Sequence, residues 1–160
     1  MAEVKLEEKM QSLEDLLRQD HDEIDGYWEE AEQRRAAGDA TALDFYRKFT
    51  LALDEHIEVE EEIVFPYSVK TREQESRHII DIMRAEHVEI RKLLGKINAA
   101  ISAAKLPSEE DETELKNVLG AHNTREEGLY YADFDAAFSK TPEGQEMLHK
   151  VRSLCHCGHR

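Results

Sequence analysis

The chain has little with which to punctuate a sheet and little with which to staple one. Its 160 residues include 7 Gly, 3 Pro and 2 Cys, and that scarcity of turn-formers leaves long uninterrupted segments suited to helices. Basic residues are also scarce, 21 against 36 acidic ones for a net charge of −15. A nucleic-acid partner needs clustered Lys and Arg, so none is expected. No apolar run approaches the roughly 20 residues of a membrane span, and no membrane partner is expected. The opening "MAEVKLEEKMQ" lacks the apolar stretch of a secretory signal. Cys155 and Cys157 sit too near the C-terminus to cross-link the body of the fold. Together these point to a cytoplasmic protein in a reducing compartment.

What the chain does have is apolar residues at helical spacing. A first helix is expected from about Ser12 to Ala37, with Ser12 and Asp15 as a capping pair, Gly38 as its stop, and Leu13, Leu17, Ile24, Trp28 and Ala31 as its stripe. A second begins near Asp39 or Thr41 and closes at "IVFP", with Phe45, Phe49, Ala52, Val59 and Ile63 inward. A third spans about Ser76 to Ala104, carrying Ile79, Met83, Ile90, Leu94, Ile97 and Ile101. The fourth follows "LPSEEDE", with Ser108 as cap, acidic residues in its first turn, and Leu115, Val118, Leu119 and Leu129 in its stripe. A short fifth helix starts at "TPEGQEM", with Thr141 as cap and Pro142 in the first turn. Short connections make sequential helices antiparallel neighbours. The expected fold is therefore all-α, an up-down-up-down four-helix bundle with a short extra C-terminal helix. It forms one domain over 1–160, with a core at about 12–135 and an extension at 136–160.

Each long helix places a histidine inside its apolar stripe: His21, His56, His87 and His122, with Glu60 and Glu126 one turn beyond the second and fourth. A lone core histidine is ordinarily a hydrogen-bonded packing residue. Six such groups together carry a burial cost of several kcal/mol per carboxylate unless they pair or hold a cation. Their heights agree as well. The midpoints of His21/His56, His56/His87 and His87/His122 fall at 38.5, 71.5 and 104.5, each inside an expected turn, so all four rings belong to one layer of an antiparallel bundle. The chain also repeats at an offset of 66 residues. His21, His56 and Glu60 map onto His87, His122 and Glu126, and "DLLRQDHDEI" aligns with "DIMRAEHVEI". The repeat predicts two similar half-sites about a pseudo-two-fold axis.

Four imidazoles and two carboxylates suit a pair of divalent metals such as iron, zinc or copper. Each metal would take two histidines, and Glu60 and Glu126 could bridge. Six ligands exceed the four of a structural zinc site, and Glu-x-x-His motifs of the ferritin kind are missing from this layer. Positions left open on the metals favour chemistry or sensing over a purely structural role. A metal-free interaction bundle would leave the aligned polar layer unexplained. Glu61 and Glu62 are expected to turn towards solvent or to support the ligands.

The set His21, "HIEVE" at 56–60, His87 and "HNTRE" at 122–126, with "IVFP" after the second motif, resembles the hemerythrin-like, or histidine–histidine–glutamate cation-binding, family over roughly residues 12 to 135. The resemblance implies a non-haem di-iron centre of two Fe ions, with an oxo or hydroxo bridge, ligated by His21, His56, Glu60, His87, His122 and Glu126. It implies a protein that reacts with or senses O2, peroxide or nitric oxide. The alternative is iron storage or donation for iron–sulfur cluster repair. Oxygen-carrying members have a further histidine in an H-x-x-x-H pair on the third helix, where this chain has Met83 and Arg91 four residues either side of His87. Glu127 stands at the spacing of the carriers' aspartate, one residue after Glu126. The pattern is closer to the symmetrical sites of the repair and sensor branches. No residue outside the ligand set specifies catalytic turnover. The tail "CHCGHR", with Cys155, His156, Cys157 and His159, offers a second metal or redox handle, although a frayed terminus explains it as well.

Overall fold

Ser12 is in extended backbone, and its hydroxyl accepts from the Asp15 amide to open helix α1, Leu13–Ala36. A Ser cap of this kind satisfies one of the amides a helix start leaves unpaired. At the other end Gly38 takes φ +69, the left-handed conformation that glycine reaches without a Cβ clash. The computed structural model describes residues 10–71 and 73–155, and among them there are helices and no strand. Helix α2 runs Ala42–Val59 and passes without a break into a π-helical segment, Glu60–Val64, and then α3, Phe65–Thr71. Helix α4 is Glu73–Ser102. Helix α5, Glu109–Arg125, starts at a Ser108 cap followed by four acidic residues and likewise passes into a π segment, Glu126–Tyr130, and α6, Tyr131–Phe138. Thr141 caps α7, Pro142–Leu154, by accepting from the Gly144 amide.

These elements form a helical bundle. Helix α1 packs on α2, α2 on α4, and α4 on α5, while α7 closes one end against α1, α6 and the first π segment. Gly144 lets α7 approach, because a Cβ there would stand 1.8 Å from the Phe138 carbonyl oxygen. Two apolar clusters fill the interior. One holds Ile24, Trp28, Phe49, Ile90, Ile97, Leu115 and neighbours, the other Leu17, Phe65, Met83, Tyr130, Phe134, Leu148 and neighbours. The four histidines and two glutamates lie in the polar stratum that separates them, every one of them buried.

Two expectations need correction, and both trace to the π segments. The helix does not close at Pro66 but continues to Thr71. The amide of Phe65 reaches back to the Glu60 carbonyl, five residues away, so the ladder is already out of α register where proline's missing N–H falls. The same extra residue per turn slips the inward stripe by one position. Ile63 and Leu129 are expected inward; Val64 and Tyr130 instead take the deepest positions at 0% and 2% exposure, Leu129 is 60% exposed, and Ile63 is partly buried against the same cluster. Two smaller differences need no slip. Phe45 is only partly buried, its ring lying under Arg34 and Lys48, and Ile79 packs partly buried on the cluster in which Ile80 is fully buried.

Candidate metal centre

His56 and Glu60 share one face of α2, and the π segment begins at Glu60 itself; His122 and Glu126 repeat the arrangement on α5. His21 from α1 and His87 from α4 complete the layer. The Nε2 atoms of His21 and His56 are 3.0 Å apart, and those of His87 and His122 are 3.2 Å apart. Two groups result in which every donor atom lies within 4.8 Å of the others: Glu60, His87, His122 and Glu126, and His21, His56 and Glu126. Glu126 belongs to both. The structure thus gathers all six residues that the sequence singled out.

Each ring is held from behind by a carboxylate. Nδ1 of His21 lies 3.0 Å from Glu127, that of His56 2.6 Å from Asp20, that of His87 2.7 Å from Glu61 and that of His122 3.0 Å from Glu86. An ionised carboxylate only accepts, so each Nδ1 carries the proton and donates it. When the ring is neutral, Nε2 is left with a bare lone pair, the tautomer a metal ligand needs. These four supports follow the offset of 66 as well: Asp20 matches Glu86, and Glu61 matches Glu127. Asp20 and Glu86 escape a periodicity reading because each precedes its histidine by one residue and so should turn about 100° off the stripe; the repeat itself was the available signal.

The donor set fits a cation on the orphaned atoms. Glu60 Oε1 and both Glu126 oxygens are buried without a hydrogen bond, although imidazole Nε2 atoms stand 3.2 to 3.4 Å from Glu60 Oε1 and Glu126 Oε1. With neutral rings no proton lies along these short N···O approaches. Lone pairs facing lone pairs at these separations need positive charge between them. Without a metal, protons supply part of that charge. Burial lowers the His122 pKa, but the charge of Glu126 and its hydrogen bond more than reverse this and raise it to about 9. Burial likewise opposes the charged form at His56, and the charge of Glu60 with the Asp20 contact lifts it well above 6.5. Burial would raise Glu60, yet the His56 charge and its hydrogen-bond contacts hold it well below the usual carboxylate range.

Aromatic residues finish the walls, and they break the symmetry of the repeat. Phe65 stacks on His87, ring centroids 5.6 Å apart at 15°. Its counterpart at the offset of 66 is Tyr131, whose ring lies 5.9 Å from that of His21. The Tyr131 hydroxyl donates to Glu60 Oε2 at 2.8 Å and stands 3.4 Å from His21 Nε2. Burial, then the charges of Glu126 and Glu60, push its pKa well above 10, so it stays a donor. Of the five tyrosines the sequence left open, this one reaches the layer. Tyr130 instead pairs with Ser68, Tyr46 with Glu112, and Tyr67 packs on Phe134 and Phe138. His78 and His149 are exposed. Of the C-terminal motif, Cys155 is buried, and His156, Cys157 and His159 lie outside the described residues.

Among the described residues no helix is long and apolar enough to cross a membrane. No curated protein and no solved structure matches the chain. The family model of the hemerythrin HHE cation-binding domain matches residues 12–134. That span runs from the α1 cap into α6 and includes all six convergent residues, and the chain belongs to the hemerythrin HHE cation-binding domain family.

Proposed function

We propose that the protein is an up-down-up-down four-helix bundle that holds two iron ions through His21, His56, Glu60, His87, His122 and Glu126. It reacts with or senses O2, peroxide or nitric oxide there, in the cytoplasm and as a single domain. The observation that carries this reading is the division of the layer into two histidine pairs that share Glu126. His21 and His56 serve one ion, His87 and His122 the other, and the carboxylates join them. When bound, the iron pair supplies reversible one-electron chemistry and vacant positions for a small ligand.

The residues of the chain set where that chemistry can occur. Asp20, Glu61, Glu86 and Glu127 fix the ring orientations and leave Nε2 as the nitrogen that faces the layer. The two flanking apolar clusters exclude bulk water and strengthen every charge interaction in the layer. Among the described residues three donors gather around the His21 side, against four on the other, which leaves more coordination positions to a small ligand beside His21. Tyr131 is the hydroxyl at that position, and its one proton, donated to Glu60 Oε2 here, can turn to an oxygen or nitrogen atom of the ligand. Phe65 offers no such donor on the other side, which favours an asymmetric site with one reacting position.

Iron reconstitution under anaerobic conditions, followed by separate exposure to peroxide and to nitric oxide, tests the reading. Rapid spectral change with iron retained supports it. Transfer of the iron to an apo iron–sulfur acceptor, without such a change, would replace it with storage or donation.

A further inference from the structure

Among the described residues three arginines stand behind the carboxylates that hold the rings. Glu127 divides its oxygens between two donors, Oε2 accepting from His21 Nδ1 and Oε1 from Arg18 Nε, both at 3.0 Å. Glu86 is divided in the same way, with Oε1 on His122 Nδ1 at 3.0 Å and Oε2 3.4 Å from Arg125 Nη1. Glu61 Oε2 accepts from His87 Nδ1 at 2.7 Å, and its Oε1 lies 3.9 Å from Arg84 Nε. The offset of 66 carries Arg18 onto Arg84, each three residues before its histidine, and places Val59 opposite Arg125. Arg18 is fixed in turn by Glu14, at 2.7 Å.

The ring contact is longer where the arginine is nearer. Arginine distances of 3.0, 3.4 and 3.9 Å go with ring contacts of 3.0, 3.0 and 2.7 Å. A charge-assisted hydrogen bond shortens as it strengthens, and a guanidinium offsets part of the carboxylate charge that the imidazole N–H would otherwise feel. A carboxylate behind a ligating histidine raises the basicity of the ring. An arginine behind that carboxylate lowers it again.

We propose that Arg18, Arg125 and Arg84 are positioning residues of the metal centre, which grade through Glu127, Glu86 and Glu61 how strongly His21, His122 and His87 donate to a bound cation. Arg18 acts most strongly and Arg84 least. This rests on the metal reading of the layer. A weaker histidine donor favours the lower charge state of a redox metal, so each arginine raises the potential at its own histidine pair. The three side chains are 34% to 50% exposed, and exposed ion pairs contribute little to stability. Their removal should leave the melting temperature of the metal-free chain close to that of the parent.

The probes are zinc, whose diamagnetic complex shows the Nδ1–H proton of each ligating ring by NMR, and iron, whose midpoint potential is read by redox titration. In the zinc-loaded full chain Arg18→Gln should move the His21 Nδ1–H resonance downfield and leave that of His87 in place. Arg125→Gln should do the same at His122, and Arg84→Gln should give the smallest shift, at His87. In the iron-loaded chain Arg18→Gln should raise the ratio of ferric to ferrous affinity at least about threefold, a fall of about 28 mV at about 59 mV per tenfold. Arg18→Lys, which keeps the charge, should recover most of both shifts. Arg47→Gln, which breaks an exposed pair with Asp44 at 3.4 Å earlier on α2, should cause neither. A parent chain that takes up neither zinc nor iron overturns the metal reading itself. A loaded Arg18→Gln chain with unmoved His21 resonance and potential, or with shifts that Arg47→Gln matches, overturns the positioning role alone.

Discussion

His21 and His56 meet Nε2 to Nε2 at 3.0 Å while each donates its Nδ1 proton backwards, to Glu127 and to Asp20. With both rings neutral their Nε2 lone pairs face one another, an arrangement that positive charge between them relieves. His87 and His122 repeat it 66 residues later, backed by Glu61 and Glu86.

The supports should matter nearly as much as the ligands. Asp20→Asn or Glu86→Gln removes the acceptor that fixes the histidine tautomer while keeping the shape. Each is expected to weaken metal affinity about 10- to 100-fold, read by competition with a chelator of known affinity. Glu126→Ala, which removes a group shared by both clusters, should cost more than either. Glu60→Ala should lower metal content and melting temperature together, because binding free energy is also folding free energy.

Tyr131→Phe makes the two aromatic positions alike. The ring still fills its site, so stability should fall by only about 1 kcal/mol for the lost hydrogen bond, and iron content should hold. The rate of spectral change with peroxide should drop, and the absorption bands of the small-ligand adduct should move. Unchanged bands would take Tyr131 out of the reacting position.

The one-residue slip at the π segments predicts opposite outcomes for neighbours. Leu129→Ser should lie within about 0.5 kcal/mol of the parent in urea unfolding. Tyr130→Ala, by contrast, should cost about 3–5 kcal/mol as a large buried aromatic truncation. An uninterrupted α-helix would rank them the other way.

Metal removal and pH are linked with a definite sign. With His122 raised to about 9 and His56 raised also, the folded metal-free chain binds more protons than the unfolded chain above the ordinary histidine value of 6.5. The stability these groups give the metal-free protein is full below 6.5 and is lost as pH rises through about 9. Metal needs the deprotonated rings, so the loaded protein behaves oppositely. Chelation should therefore lower the melting temperature more at pH 8 than at pH 6, by scanning calorimetry, and loading at pH 7 should release protons.

The polar layer was legible because its six residues obey helix periodicity like any inward residue, and the intact duplication pairs each with a counterpart. The caps at Ser12, Ser108 and Thr141 were legible because capping is local chemistry. The slip at Ile63 and Leu129 was not, since a π turn is defined by backbone bonds that no side-chain pattern announces. Pro66 hinted at it in the first half, but the second half has no proline to do so. Asp20 and Glu86 were not legible because each stands one residue off its helix's inward stripe, and the contrast of Phe65 with Tyr131 was not because nothing in their spacing says that either ring reaches the layer.

Iron stoichiometry is the most direct test of the central claim. Protein reconstituted anaerobically with ferrous iron and desalted should carry about two irons per chain, falling to about one or fewer in Glu126→Ala. Fewer than about one iron per chain in the parent, unchanged by reconstitution, would contradict the account.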